Sequence, residues 1–285
     1  MDVSKLPNHH PVAWDTRFEP MALSDMFART TRASPSAPLL HFLGRSYSYS
    51  ELYRDARAFA HSLKARGIAE GDRVGLFLPN VPSYVVGYYG AMMAGAVVVN
   101  FSPLYSVEEL EEQIADSGTR LLVTVDVPEL YATAEEVLRG SDLETLVVSS
   151  LSQMLPKLKG IALRLFARSK VAKVDYRADI LRWDDMLKQG RKVGGELPTI
   201  DPQSLALLQY TGGTTGIPKG AMLTHANLSI NAQQTAGLNP FDDPASEVFM
   251  GALPFFHVFA NTALLNHAVV TGASIAMVPR FETKQ

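Results

Sequence analysis

The residues from Tyr210 to Gly220, Y-T-G-G-T-T-G-I-P-K-G, are the ones whose types and spacing most clearly suit a chemical task. Glycines allow positive φ angles and let backbone N–H groups approach a ligand closely. The threonine hydroxyls can donate hydrogen bonds or face a metal ion, and Lys219 supplies a positive charge. Together these groups have the composition of a cradle for a triphosphate.

This loop is not a Walker A motif. That motif places its lysine directly after a glycine and before serine or threonine, whereas here Pro218 precedes Lys219 and Gly220 follows it. The alternative interpretation is a flexible surface hairpin rich in threonine and glycine. The surroundings favour the cradle, because the strand-like run SLALLQY precedes the loop and a helix is predicted to begin near Thr224 or Asn227.

Strand and helix patterns alternate in the part of the chain that must position this loop. A helix is predicted behind Ser50 as its N-cap, then strands at Arg73–Leu78 and VVVNF with a helix from Pro82 between them. Ser106 and Glu109 form a capping-box pattern before the helix VEELEEQIADSG. The runs RLLVTVD, PELYATAEEVLRG and LETLVVSS continue as strand, helix and strand. This alternation predicts an α/β fold with a mainly parallel sheet.

No residue between Arg73 and Glu108 is charged, and this apolar stretch is about long enough to cross a bilayer. Prolines interrupt it at Pro79 and Pro82, and Gly95 marks a helix end. A short strand, a helix and a β-branched strand, all apolar, are typical of a buried parallel βαβ unit. We therefore predict a buried unit of a globular domain and not a transmembrane helix.

Composition excludes several classes of function. The chain has 285 residues, of which 47% are hydrophobic and 19% charged, as expected of a globular protein. A net charge of −3 argues against nucleic-acid binding through bulk charge. The absence of cysteine removes disulfides, zinc–thiolate sites and iron–sulfur clusters. The N-terminus lacks the apolar core of a signal peptide, and the histidines other than His257 show no metal-ligand spacing.

Residues 151–180 differ from the rest because they carry seven basic and two acidic side chains. At about 100° per residue, one side of a predicted helix is apolar and basic residues flank it; the apolar residues are Leu158, Ile161, Ala162, Leu165 and Phe166. One interpretation is a surface helix that packs on the domain and has a solvated basic rim. The other is an interfacial helix, within residues 155–173, that meets anionic lipid headgroups.

The loop at 210–220 resembles the signature Y-T-[SGT]-G-T-T-G-x-P-K-G of the adenylate-forming superfamily, which includes acyl-CoA synthetases, luciferases and peptide-synthetase adenylation domains. GDRVGLFLPNVPSYVVGYYGAMMAGAVVVNFSPLYS looks like the N-terminal βαβ segment of that family, and LPFFHVFANT at 253–262 looks like its next core motif. The GGTTG form of the loop and the basic insert MLPKLKG resemble the long-chain fatty-acyl branch. The resemblance extends over about residues 10–281.

The resemblance implies a two-step ligation that uses ATP, Mg²⁺ and coenzyme A. A carboxylate attacks the α-phosphorus of ATP to give acyl-AMP and pyrophosphate, and the thiol of coenzyme A then displaces AMP. By motif position, Lys219 and Thr214 would be catalytic, and Thr214 would also be a magnesium ligand. The positions that would bind the nucleotide are Tyr210, Thr211, Gly212, Gly213, Thr214, Thr215, Gly216 and Lys219.

His257 and Phe256 lie in the run P-F-F-H-V-F. A lone histidine among aromatic residues is commonly a hydrogen-bonded core residue. The resemblance instead implies that both residues bind the substrate, with His257 as a wall and gate of the acyl entrance and not as a general base. Phe255 and Phe259 would line an apolar acyl tunnel or belong to the core.

The resemblance also gives the predicted organisation. Residues 1–200 would form a first α/β part with the basic insert 151–180, and residues 201–285 would begin a second part that contains the phosphate loop. The later family motifs Y-G-x-T-E and T-G-D, and the C-terminal domain with its adenylation lysine, are not found. We therefore expect an incomplete N-terminal AMP-binding domain that does not ligate by itself.

Three functions stay open at this point. The chain could be part of a long-chain fatty-acid–CoA ligase, a non-catalytic remnant that binds nucleotide or a partner, or part of an adenylating ligase for another carboxylic acid. The expected partners are a fatty acid and coenzyme A but no nucleic acid, with a homodimer in the full-length form. The expected location is the cytoplasm, with peripheral contact to the inner face of the membrane through residues 155–173.

Overall fold

The computed structural model describes residues 12–13, 15–211, 218–239 and 242–279. The strands are β1 Pro38–Phe42, β2 Arg45–Ser48, β3 Arg73–Leu76, β4 Val97–Asn100, β5 Thr119–Val125, β6 Thr145–Ser149, β7 Ile180–Arg182, β8 Leu205–Thr211, β9 Lys219–Thr224, β10 Val248–Gly251 and β11 Ser274–Met277.

The helices are α1 Leu23–Ala33, α2 Tyr49–Ala65, α3 Pro82–Met93, α4 Val107–Ser117, α5 Pro128–Gly140, α6 Leu151–Met154, α7 Lys157–Phe166, α8 Trp183–Val193, α9 His225–Gly237, α10 Val258–Ala260 and α11 His267–Thr271. A π-helix, Asn261–Asn266, connects α10 to α11. Short 3-10 turns lie at Arg168–Lys170 and Pro244–Ser246.

Two mainly parallel sheets organise the described residues. The larger sheet has seven strands in the order β7-β6-β5-β3-β4-β8-β9, and only its β8–β9 pair is antiparallel. The smaller sheet has the order β10-β11-β1-β2, with an antiparallel β1–β2 hairpin. This confirms the predicted α/β class. Both sheets take strands from each side of residue 200, and the division of the chain at that point stays a prediction.

The uncharged stretch forms the predicted buried unit. All twelve residues of α3 are buried, and β4 beside it is buried throughout. A side chain at Gly90 would collide with the carbonyl oxygen of Ala56, 2.7 Å away, so this glycine allows α3 to approach α2 closely. Among the residues that the structure describes, no helix has both the length and the apolar character to cross a membrane.

Serine side chains cap the first turns of helices α2 and α4. The predicted capping box is present, since Ser106 Oγ accepts from the Glu109 N–H at 3.3 Å and Glu109 accepts from the Ser106 N–H at 2.9 Å. The predicted N-cap at Ser50 is wrong. Helix α2 begins two residues earlier, where Ser48 Oγ accepts from the Glu51 N–H at 3.1 Å. Ser48 takes this role because its backbone is extended while Ser50 already lies in the first turn.

Candidate active site

The phosphate loop connects two antiparallel strands. Thr211 at the end of β8 lies opposite Lys219 at the start of β9, and Tyr210 lies opposite Gly220. The predicted helix start near Thr224 is confirmed, but strand β9, which was not predicted, lies between the loop and that helix. Helix α9 begins at His225, and Thr224 caps it by accepting from the Asn227 N–H at 3.1 Å.

Most of the predicted loop residues lie outside the described part of the chain: Gly212, Gly213, Thr214, Thr215 and Gly216. The two ends of the loop are described. Thr211 and Lys219 are both exposed, and Lys219 has no ion-pair partner within the described ranges. The strand register brings these two side-chain positions to the same place at the mouth of the loop, where a charged ligand would meet a free ammonium group.

Tyr210 anchors the first end of the loop. Its ring is buried and stacks on Phe101, with ring centroids 6.5 Å apart. Its hydroxyl donates to the Asp116 carboxylate on α4 at 2.5 Å. Burial, with the Asp116 carboxylate beside it, raises the pKa of the Tyr210 hydroxyl well above its usual range, so the group stays a donor. The hydroxyl is thus occupied within the protein, and its predicted contact with a nucleotide stays a prediction.

The loop lies at the carboxyl ends of parallel strands. Strands β3, β4 and β8 run parallel, and Asn100 at the end of β4 pairs in register with Gln209 just before the loop. The Asn100 side-chain amide donates to Gln209 Oε1 at 3.3 Å. In open α/β sheets, ligands bind outside the carboxyl ends of the strands. The position of the loop therefore matches the usual ligand-binding edge of such a sheet.

A buried set of side chains fixes the segment after β10 to the same edge. This amide–tyrosine network consists of Tyr84, Tyr88, Tyr89, Asn100, Asn261 and Asn266. The Tyr84 hydroxyl lies 2.9 Å from Asn100 Oδ1 and 2.7 Å from the carbonyl oxygen of Phe255. The Asn261 amide donates to the Tyr84 hydroxyl at 3.2 Å. Helix α3 thus connects the end of β4 to the segment that carries His257.

The rest of the network holds the π-helix. The Tyr88 hydroxyl donates to Asn261 Oδ1 at 2.9 Å, and the Tyr89 hydroxyl donates to Asn266 Oδ1 at 2.8 Å. Burial raises the pKa of all three tyrosine hydroxyls well above the usual range, so they remain protonated donors at neutral pH. Irregular helical turns of this kind are frequent at functional sites.

Asn80 provides a second attachment for this segment. Its side-chain amide donates to the carbonyl oxygens of Gly251 and Leu253 at 3.1 and 2.9 Å. Its Oδ1 accepts from the Phe255 N–H at 2.8 Å. Because Asn80 follows β3, it fixes the Pro-Phe-Phe-His segment to the carboxyl edge from a second strand.

The structure separates the aromatic residues of that segment. Phe255 is fully buried against Tyr84 and belongs to the core. Phe256 is buried with its ring 4.5 Å from that of His257, which is itself exposed. Phe259 is 67% exposed. His257 therefore stands at the surface of the segment with the buried Phe256 ring directly behind it. Their contact with a substrate stays a prediction.

Sequence reasoning missed the amide side chains that fix the site: Asn80, Asn100, Gln209, Asn261 and Asn266. Their signal is present but weak, because single amides interrupt the apolar runs LFLPN, VVVNF, ALLQY, FFHVFAN and TALLN. A buried amide is expensive unless its hydrogen bonds are satisfied. An amide in an apolar run at the carboxyl end of a strand therefore predicts a structural hydrogen-bond network.

The described residues contain no group of three His, Cys, Asp or Glu side chains arranged to hold a metal ion. The proposed magnesium ligand, Thr214, lies outside them. A threonine hydroxyl is the kind of hard oxygen donor that Mg²⁺ prefers. The loop composition therefore suits a magnesium–nucleotide complex, with Thr214 as the residue that would contribute an oxygen ligand.

The fold and this edge define an α/β domain with a glycine- and threonine-rich loop between two antiparallel strands. The chain belongs to the AMP-binding enzyme family, whose model matches residues 27–285. This match confirms the family predicted from the loop, the βαβ segment and the P-F-F-H run.

Curated relatives carry related names. The chain is 35% identical to the long-chain-fatty-acid–CoA ligase of Bacillus subtilis over 87% of its own length and 44% of that protein. It is 33% identical to the enzyme of the same name from Escherichia coli O6:H1, over 90% of this chain and 46% of the relative. A 4-coumarate–CoA ligase from Oryza sativa is 30% identical over 90% of the chain. The chain spans less than half the length of these relatives.

Solved structures agree with the fold. A long-chain-fatty-acid–CoA ligase from Archaeoglobus fulgidus superposes with a TM-score of 0.75 and 25% identity, over 94% of this chain and 49% of that one. An anthranilate CoA ligase in complex with anthranoyl-AMP gives a TM-score of 0.74 at 22% identity, over 99% of this chain and 47% of that one. The second comparison supports the fold alone.

Proposed function

We propose that this chain supplies the phosphate-binding part of an acid–thiol ligase that converts a long-chain fatty acid to acyl-AMP and then to acyl-CoA. The observation that carries the proposal is the loop at 210–220, with its ends paired at the carboxyl edge of the parallel strands. The names of the bacterial relatives support the choice of acid.

The chemistry asked of this edge is positioning and charge neutralisation. In the first step a carboxylate oxygen attacks the α-phosphorus, and pyrophosphate leaves with increased negative charge. Lys219 would neutralise that charge from the start of β9, while the loop N–H groups and threonine hydroxyls would bind the β- and γ-phosphates. A magnesium ion that arrives with the nucleotide would supply further neutralisation, with the Thr214 hydroxyl among its ligands.

The acid would approach from the His257 segment. Asn80 and the amide–tyrosine network hold this segment against the same sheet edge as the loop. Phe256 would supply an apolar wall, and the exposed His257 ring would control entry. Coenzyme A would then deliver its thiol to the acyl carbonyl and release AMP. These roles rest on the resemblance and on the position of the segment.

A second candidate is a ligase for another carboxylic acid. It is favoured by the 30% identity to a 4-coumarate–CoA ligase, a level close to that of the bacterial fatty-acid enzymes. The third candidate, a remnant that binds nucleotide without catalysis, would retain the loop and lack turnover.

Pyrophosphate exchange with a panel of acids distinguishes these candidates. Labelled pyrophosphate enters ATP only when an acid supports reversible acyl-AMP formation. We expect long-chain fatty acids to support exchange in the longest product that the gene encodes. Exchange with aryl acids alone would favour the second candidate. Nucleotide binding by equilibrium dialysis without exchange on any acid would favour the third.

A further inference from the structure

Helix α7 leaves its apolar face in solvent. Leu158 and Phe166 are 83% and 86% exposed, and Ile161 and Leu165 are each 54% exposed. The interpretation in which this face packs on the domain is therefore wrong. The helix rests on the domain through the opposite side, where Gly160 is its only buried residue and a Cβ there would overlap the carbonyl oxygen of Ser152. The close approach at Gly160 holds the helix with its apolar side outward.

Positive charge surrounds this face. No acidic residue lies between Glu144 and Asp175, whereas the exposed cations in that interval are Lys157, Lys159, Arg164, Arg168, Lys170 and Lys173. None of these six forms an ion pair with the part of the chain that the structure describes. On the helix, Lys157 and Arg164 flank one edge of the apolar face and Lys159 flanks the other, at about 100° per residue.

The tip of the β1–β2 hairpin lies beside the same helix. Lys159 Nζ donates to the carbonyl oxygen of Leu43 at 3.0 Å. Leu43 has φ of 49° and is 46% exposed. This left-handed position in a hairpin tip favours asparagine or glycine, so leucine is unfavourable there for the fold itself. Leu43 thus adds a further exposed apolar side chain beside the helix, at a position where the local backbone conformation disfavours leucine.

We infer that α7 and Leu43 form a surface that binds the headgroup region of an anionic lipid bilayer. An apolar face between basic edges is the pattern of a helix that lies in the membrane interface. Charge complementarity disfavours a second copy as the occupant, because a twofold contact would bring the same basic edges together. The inference that α7 binds a membrane does not depend on the proposed ligase function. Delivery of a long-chain acid from the membrane to the candidate site would depend on that function.

Vesicle flotation of the 285-residue chain tests this inference. In a density gradient, bound protein rises with the lipid while aggregated protein sinks. We expect flotation with phosphatidylglycerol-containing vesicles at low salt, less at high salt, and little with phosphatidylcholine alone. Each basic residue near an anionic surface increases partitioning roughly fivefold, so Lys157→Gln, Arg168→Gln and Lys170→Gln together should weaken it about a hundredfold. Lys159 and Arg164 are left unchanged because their side chains donate hydrogen bonds to Leu43 and Ser152 on neighbouring segments. The Arg168 side chain bonds only within its own segment, to the Arg164 carbonyl oxygen.

Two further variants separate the apolar contribution from the charge. Leu158→Ser with Leu165→Ser and Phe166→Ser should abolish flotation while circular dichroism and unfolding stay unchanged. The matched charge control is Arg29→Gln, Arg32→Gln and Lys192→Gln, exposed residues on other elements, which should float like the parent. Failure of the parent chain to float, flotation that survives the apolar substitutions, or concentration-dependent dimerisation that those substitutions abolish in gel filtration without lipid would each overturn the inference.

Discussion

Helices α3 and α7 are both rich in apolar residues, yet every residue of α3 is buried and only Gly160 of α7 is. Apolar content alone therefore does not decide burial. Helix α3 is covered on all sides. Gly90 allows α2 to pack closely against it, and the Tyr88 and Tyr89 hydroxyls of α3 donate to buried amide side chains. Helix α7 contacts the domain through Gly160 and through the Lys159 and Arg164 side chains, and these contacts leave its apolar face uncovered. The region around α3 holds the candidate site, and we expect substitutions there to have large effects that equivalent changes at α7 lack.

The largest expected effect concerns two exposed lysines, one in each region. Lys219→Ala should reduce acyl-AMP formation by roughly 10²–10³-fold, the scale for removal of one preorganised electrostatic contact. Lys157→Ala, on α7, should leave it unchanged. Both substitutions are made in a gene product that catalyses pyrophosphate exchange, and the exchange rate of each variant is compared with that of the parent. Equal rates in the two variants would remove Lys219 from the proposed machinery.

Asn261 tests whether the amide–tyrosine network holds the site region together. Asn261→Leu leaves the Tyr88 hydroxyl and one Asn266 N–H without an acceptor in the core. We expect a loss of about 4 kcal/mol in the free energy of unfolding, since each buried group without a partner costs about 1–3 kcal/mol. The control Asn231→Leu, at an exposed position on α9, should change it by less than about 0.5 kcal/mol. Urea titration monitored by circular dichroism gives both values.

Acid should destabilise the fold through His225, which is buried where α9 begins. Its Nδ1 accepts from the Leu23 N–H at 3.3 Å, and burial lowers its pKa from 6.5 to about 4. Because the folded pKa lies below the unfolded value, its contribution is complete above pH 6.5 and is lost as the pH falls towards 4. At about 1.4 kcal/mol per pKa unit, the loss amounts to roughly 3 kcal/mol.

His225→Asn keeps an acceptor for the Leu23 N–H and removes the titration. Its unfolding free energy should therefore fall less between pH 7 and pH 4 than that of the parent chain. Burial also lowers the pKa of His61 and His267, but these act in both proteins and cancel in the difference. Parallel pH profiles for the variant and the parent would contradict the assignment.

Thr214 should act through magnesium. Thr214→Val keeps the shape of the side chain and removes the oxygen, so we expect about a tenfold loss of exchange activity, the loss of about 1.4 kcal/mol from one contact, and a higher magnesium requirement. Thr211→Val at the mouth of the loop is the matched control and should not change the magnesium requirement. A magnesium titration that coincides with the parent's would exclude Thr214 as a ligand.

Patterns within a few residues predicted much of this molecule. Periodicity and capping residues predicted α3, α4, α5 and the strands between them, because those signals depend on neighbouring residues alone. Strand β9 was missed because its residues form a strand only by pairing with β8 across the loop, and that pairing is not visible in the run of β9 itself. The exposed face of α7 could not be predicted, since the same pattern suits a packed helix. The contact that decides it, Gly160 against Ser152, exists only after folding.

The smallest expected effect completes the comparison. Leu165 and Leu63 are both leucines on the apolar sides of amphipathic helices, but Leu165 is 54% exposed and Leu63 is fully buried on α2. Leu63→Ala should cost about 2–5 kcal/mol because it leaves a cavity in the core. Leu165→Ala should change the free energy of unfolding by less than about 0.5 kcal/mol, since more than half of this side chain is already in solvent. A loss of 2 kcal/mol or more at Leu165, measured in urea without lipid, would mean that α7 packs on the domain in solution, and the contrast between the two helices would disappear.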